Sequence, residues 1–306
     1  MNTVSIILPF FNEEKSIPVI FEKLKLIFEK NSNYNFELVF VDNASEDQSS
    51  SEVNKILEFT KEKSNIMIKL ISFTRNFGYQ SSLLAGYEHS TGDAIVVLDT
   101  DLEDPPELIN DFIKYWKEGY KIVYGKRIDR DINHNFLYNF IFKKLINIFY
   151  FILRKTSDFK IYDKMAEFAL ISKEVKDQIL KKNKSYNFFR AEIGYSGYSS
   201  KSIDYKRNLR MFGKSNYNFF GAFRFAIMGL LTTSTVILRF PIYFLSVLIP
   251  LNLISMFYSE IKNVVIHINV LFILIFFSIS ILYIARIYQI LLNRPPYVIN
   301  IEKSIL

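Results

Sequence analysis

The stretch AIVVLDTDLEDPPE, Ala94–Glu107, sets five carboxylates (Asp99, Asp101, Glu103, Asp104, Glu107) directly after a short apolar run and carries two prolines near its end. An apolar run of that length bounded by turn residues reads as a buried strand. The acidic cluster then lies in the loop at the strand's end, either as a solvated turn or as the seat of a cation. Asp99 and Asp101 are two residues apart, so on a chain continuing outward from the strand they point to one side. An oxygen-seeking ion such as Mg²⁺ or Mn²⁺ would cancel their repulsion and leave positions open for phosphate oxygens. Glu103 offers a third ligand, directly or through water, and Glu107 suits the start of the next helix.

The same alternation extends on both sides of this stretch. VSIILPF (4–10), FELVFVD (36–42), MIKLISF (67–73), AIVVLD (94–99) and KIVYG (121–125) read as strands, several apolar throughout as expected of strands covered on both faces. Between them Ile17, Ile20, Phe21, Leu24 and Phe28 recur at helical spacing, as do Val53, Ile56 and Leu57, and more loosely residues 79–90 and 107–118. Strand–helix alternation predicts an α/β fold, a mostly parallel sheet with helices on both faces, whose ligands gather at the carboxyl ends of the strands. The polar clusters NEE, DNASED, TRNFG and DTDLED all fall there. FFNEE (10–14) and Asp42 offer acceptors for a nucleobase and ribose, although Asn12 and Ser45 with Asp47 are equally residues that cap helices. Arg75, Asn76 and Gly78 add a cation and a pliant backbone, a set suited to a nucleoside diphosphate.

The chain has 306 residues, 50% of them hydrophobic and 23% charged, with the apolar excess concentrated after about residue 220. It has no cysteine, which excludes disulfides, thiolate metal sites and cysteine nucleophiles. His89, His134 and His267 are too dispersed to form a ligand pattern. The net charge of +7 suits an anionic membrane surface or a phosphorylated substrate, and no nucleic-acid motif accompanies it. Two stretches are near the length a bilayer requires, Phe240–Tyr258 and Val264–Ala285, separated by SEIKN (259–263). Arg224 and Arg239 precede the pair and Arg286 and Arg294 follow it, which places both ends in the cytoplasm. The amino terminus lacks the pattern of a signal peptide, so the first domain is expected to stay cytoplasmic. NFLYNFIFKKLINIFYFIL (135–153), with Lys143, Lys144 and Arg154, reads as an amphipathic helix in the membrane interface or as an ordinary core helix. Residues 219–235 are expected along the interface as well. The expected organisation is a catalytic domain over 1–218 with an interface helix at 135–154, a second interface helix over 219–235, a transmembrane hairpin over 236–286 and a cytoplasmic tail over 287–306.

SIILPFFNEEKSI (5–17), FVDNASED (40–47), residues 74–109 and EGYKIVYGKRIDR (118–130) together resemble family 2 glycosyltransferases. More narrowly they resemble the polyprenyl-phosphate sugar transferases, and the resemblance continues through YKRNLRMFGKSNY (205–217) to NRPPYVI (293–299). It implies a GT-A fold, a nucleotide-sugar donor with a UDP or GDP moiety, and Mg²⁺ or Mn²⁺. The sugar would pass, with inversion, to the phosphate of an undecaprenyl or dolichyl chain in the bilayer, at the cytoplasmic membrane if the source is bacterial. Homo-oligomers, tetramers in some relatives, are also implied. By position, Pro9, Phe11, Glu13 and Asp42 would contact the nucleoside, and Asp99, Asp101 and Glu103 would lie at the metal. Arg127, with Arg130, would meet the acceptor phosphate, while Arg207, Arg210 and Ser215 would close over the donor diphosphate. Two departures stand out. AEFAL (166–170) keeps an acid, Glu167, at a functional position but has Ala169 where relatives carry arginine, and Asn216 replaces a lysine. Lys164, Lys214 or Arg190 could supply the missing charge, and Glu167 is otherwise a surface helix residue. The rival expectations are a transferase acting directly on a polysaccharide, lipid or protein, and a nucleotide-binding membrane scaffold without catalysis.

Overall fold

The computed structural model describes residues 1–61, 65–128, 144, 148, 151, 155–157, 161–162, 165–181, 188–212, 229 and 234–306. Nearly all of the interface helices expected over 135–154 and 219–235 lies outside the described residues, as do Arg130, Lys164, Lys214, Ser215 and Asn216. The chain divides into two compact units. One comprises Met1–Lys144, Ile161–Asn218 and Pro295–Leu306, and the other Leu145–Lys160 and Phe219–Arg294.

In the first unit a seven-stranded sheet runs in the order β3-β2-β1-β4-β6-β5-β7. Its strands are β1 (Thr3–Phe10), β2 (Asn35–Asp42), β3 (Ile66–Ser72), β4 (Ala94–Val97), β5 (Ile122–Arg127), β6 (Met165–Ser172) and β7 (Ser200–Tyr205). β3, β2, β1 and β4 pair in parallel, β6 runs antiparallel between β4 and β5, and β7 is parallel to β5. This is the expected GT-A-like arrangement, a mostly parallel mixed sheet. β1, β2, β4 and β6 are buried along nearly their whole length, because helices cover both faces. These are α1 (Ser16–Lys30), α2 (Ser49–Thr60), α3 (Tyr79–His89), α4 (Ile109–Lys117), α5 (Lys173–Leu180) and α6 (Phe189–Tyr195).

On one face α1 buries Ile17, Ile20, Phe21, Leu24 and Phe28, the helical stripe legible in the sequence, against Val4, Ile6 and Leu8 of β1. On the other, α3 packs so closely on β1 that a Cβ on Gly86 would come within 2.3 Å of Ile7 Cγ2. Gly78, the residue that caps the start of α3, has a φ of 90°, where residues with a Cβ are strained.

The second unit contains α7 (Val236–Ser255) and α8 (Ser259–Leu291), both long and apolar enough to cross a membrane. The expected SEIKN loop is instead the first turn of α8, and the chain reverses at Met256–Tyr258. Asn252 and Asn269 exchange side-chain hydrogen bonds of 3.1 and 2.8 Å between the two helices, the kind of polar pair that holds helices together in an apolar medium. Most of the large apolar side chains on both are exposed, which does not fit the core helices of a water-soluble domain.

Candidate active site

Four loops leave the carboxyl ends of β1, β2, β3 and β4, and side chains fasten each to its neighbour. Asn12 and Glu13 donate backbone N–H groups to the hydroxyls of Ser45 (3.0 Å) and Ser49 (2.8 Å), which joins the first loop to the second. Asn43 Nδ2 donates to Asn76 Oδ1 at 3.0 Å and its Oδ1 accepts from Phe77 N at 2.9 Å, joining the second to the third. The Thr100 hydroxyl donates to the Pro9 carbonyl at 3.2 Å, joining the fourth to the first. Three non-glycine residues in these loops adopt the left-handed conformation: Asn12 (φ 57°), Ala44 (φ 64°) and Leu102 (φ 61°). Such backbone is costly for residues with a Cβ and persists where surroundings hold it, as at binding sites.

The acidic loop crowds like charges in a partly buried place. Asp99 accepts a hydrogen bond from the Tyr79 hydroxyl at 2.6 Å. Burial, then the charges of Asp101 and Asp104, push its carboxyl up to about 7. Burial also raises Glu103, with Asp101 adding to the effect, and raises Glu13 despite its bonds to Ser16 and Arg210. Two arginines from the segment after β7 lie against these acids. Arg207 reaches Glu103 at 2.6 Å, Asp104 at 3.5 Å and Asp101 at 3.7 Å, and Arg210 pairs with Glu13.

Among the described residues no three acids or histidines gather into a metal cage, and Glu103, expected as a third ligand, is engaged by Arg207. Asp99 and Asp101 nonetheless fit a divalent cation. They are hard oxygen donors repelling one another in a partly desolvated place, and Mg²⁺ is commonly held by one or two carboxylates, with waters and substrate phosphates completing its shell.

The other expected residues are distributed unevenly. Asp42 is buried and accepts from Ser45 N at 2.7 Å and the Ser50 hydroxyl at 2.6 Å. Pro9 and Phe11 flank the end of β1, close to Glu13 in sequence. Arg75 is exposed, its guanidinium 4.2 Å from the Phe77 ring centroid. Arg127 is turned inward: Nη2 donates to Asp104 at 3.0 Å and Nε to the Tyr205 hydroxyl at 3.0 Å. Glu167 is no surface helix residue but a buried member of β6. It accepts from Arg190 Nε at 2.9 Å, so a cation from α6 stands beside it even though Ala169 follows it on the strand.

Asp104, Tyr205, Tyr79 and Gln80 escaped the sequence reading. Asp104 was counted among the acids without a role, yet it is the buried centre of the Arg127–Tyr205 cluster. Tyr79 and Gln80 open α3 at the carboxyl end of a strand, and that position was the available signal.

Residues 5–180 match the family model described as Glycosyl transferase family 2. The chain belongs to that family. Over 312 residues this glycosyltransferase is 32% identical to the uncharacterized glycosyltransferase YkcC of Bacillus subtilis, covering 97% of this chain and 93% of that protein. It is 30% identical to the bactoprenol glucosyl transferase of Shigella phage SfV over 98% and 99% of the two chains. The prophage bactoprenol glucosyl transferase homolog of Escherichia coli is 32% identical over 78% of this glycosyltransferase and 75% of its own length. Among solved structures, S. aureus TarS 1–349 is 16% identical with a TM-score of 0.45, covering 68% of this chain and 59% of that one.

Proposed function

We propose that this glycosyltransferase moves a sugar from a nucleotide-sugar onto the phosphate of a membrane polyprenol, with inversion at the anomeric carbon. The observation that carries the reading is the ring of fastened strand-end loops around Asp99 and Asp101, with Arg207 and Arg210 laid across its acids. The names of the bactoprenol glucosyl transferases support the acceptor, and the two apolar helices support a bilayer location for it.

In this reading the loops after β1 and β2, through Phe11, Glu13 and Asp42, receive the nucleoside. A divalent cation bound by Asp99 and Asp101 would supply positive charge to the departing diphosphate. Arg207 and Arg210, each held against carboxylates, exchange those partners for phosphate oxygens when the donor binds. Arg127 fixes Asp104 and so anchors the acidic loop, while Arg190 beside Glu167 offers charge for the acceptor phosphate. A phosphate oxygen of the lipid attacks the anomeric carbon as its bond to the diphosphate oxygen breaks, and the electron pair leaves with the nucleoside diphosphate. The second pKa of a phosphate monoester is about 6, so the nucleophile is already ionised near neutral pH and no general base is required. Positioning and charge neutralisation then account for the rate.

The arginines outside the turn, Arg239 before it and Arg286 and Arg294 after it, support a cytoplasmic catalytic unit. Membranes carrying the enzyme, Mg²⁺ or Mn²⁺, polyprenyl phosphate and labelled UDP- and GDP-sugars test the proposal. Label in an organic-extractable lipid is expected. Label in polymer or protein, or no transfer from any donor, would overturn it.

A further inference from the structure

Residues that follow α8 return to the catalytic unit and fasten to it at several points. Leu70 and Ile305 exchange backbone hydrogen bonds of 2.8 and 2.7 Å, Asn300 N donates to Ser72 O at 2.7 Å, and Thr74 N donates to Val298 O at 3.0 Å. These bonds cover the free edge of β3, and edge covering alone would explain them. The contacts beyond the strand need a different explanation. The Tyr297 ring stacks on Phe73 with centroids 5.1 Å apart, and its hydroxyl donates to Glu88 near the far end of α3. The Pro296 carbonyl accepts from the Ser81 hydroxyl at 2.9 Å in the first turn of α3. The strap therefore holds the β3–α3 connection at its start, through Thr74, and α3 near both of its ends. That helix presents Tyr79 to Asp99 at 2.6 Å and Gln80 to Glu167 at 3.5 Å.

Resting on the proposed transfer reaction, we infer that residues 295–305 are a positioning strap for the active site, with Tyr297 as the residue that fixes α3 so that Tyr79 holds Asp99. Tyr297 bonds Glu88 on α3 and stacks on Phe73 at the end of β3, and of these two the bond to α3 leads to the helix that carries Tyr79.

The test uses the full chain in detergent or nanodiscs, with Tyr297→Ala, Tyr297→Phe, Tyr79→Phe and the double variant Tyr297→Ala/Tyr79→Phe. Small displacements away from the chemistry can lower rates strongly, and Tyr297→Ala is expected to reduce kcat about tenfold. Tyr297→Phe, which keeps the ring on Phe73, is expected to lose less. In the Tyr79→Phe background the Tyr297→Ala loss should disappear, since contacts acting through one another are non-additive. Without any ligand, amide exchange over Tyr79–Ser82 should rise in Tyr297→Ala. A loss that simply adds to that of Tyr79→Phe would mean that the strap only covers an edge, and would overturn the inference. Unchanged exchange over Tyr79–Ser82 would overturn it as well. If the unaltered enzyme transfers no sugar to polyprenyl phosphate, the proposed function fails, and the exchange measurement still decides the strap.

Discussion

Replacing Asp104 with asparagine probes the scaffold of the acidic loop. Asp104 is 1% exposed. Its carboxylate accepts from the Tyr205 hydroxyl at 2.6 Å and from Arg127 Nη2 at 3.0 and 3.3 Å. Asparagine preserves the shape, removes the charge and turns one acceptor into a donor. Arg127, whose side chain is 15% exposed, then keeps its charge without its counter-ion. Removing one partner of a buried ion pair destabilises by about 3–5 kcal/mol, and the residual exposure of Arg127 puts the expected value near the lower end. At about 2–4 °C per kcal/mol for a unit of this size, the melting midpoint should fall by about 6–12 °C. Tyr205→Phe removes one hydroxyl that donates to Asp104 and accepts from Arg127, and should destabilise by about 1–2 kcal/mol. Tyrosine and tryptophan fluorescence of the purified protein during heating measures both, with sugar transfer assayed well below the lower midpoint. Equal midpoints for Asp104→Asn and the unaltered protein would refute the reasoning, because Arg127 would then not depend on Asp104.

Gly86→Ala should destabilise by about 1–3 kcal/mol through overpacking against Ile7, read as a lower urea midpoint. An unchanged midpoint would mean that α3 shifts freely on β1. Glu37 supplies a pH dependence. Burial acts to raise its carboxyl, but Lys69, Ser5 and Thr91 together hold it below its ordinary 4.5. Its contribution to stability is therefore complete above that value and lost as the pH falls through the lower folded one. Stability of the unaltered protein should decline over that acid range more steeply than that of Glu37→Gln, and parallel profiles would contradict the assignment.

β1 to β5 follow the expected apolar stretches within a few residues, including β3, an edge strand of which only the last three residues are buried. β7 was not legible. SKSIDY is an edge strand with polar residues on its outer positions, so its apolar signal is weak. β6 was noticed only as a motif, and one chain's periodicity does not say that MAEFALIS runs antiparallel between two strands. The acids at the strand ends mark the candidate site in the sequence because carboxylates crowded after an apolar run need a reason. The partner of each charge was hidden. Arg127 pairs with Asp104 and Tyr205, and Arg190 meets Glu167 through the packing of α6 on β6, partners that no local pattern shows. The strap of residues 295–305 depends on pairing with β3 from more than two hundred residues away, which no local pattern records.

The seat at Asp99 and Asp101 is the claim on which the catalytic reading stands, and Asp101→Asn tests it most directly. With labelled nucleotide-sugar, polyprenyl phosphate and saturating Mg²⁺ or Mn²⁺, the rate of lipid labelling should fall at least about a hundredfold, the loss typical of removing one transition-state charge stabiliser. An undiminished rate, or full turnover by the unaltered enzyme after complete chelation of divalent ions, would contradict it.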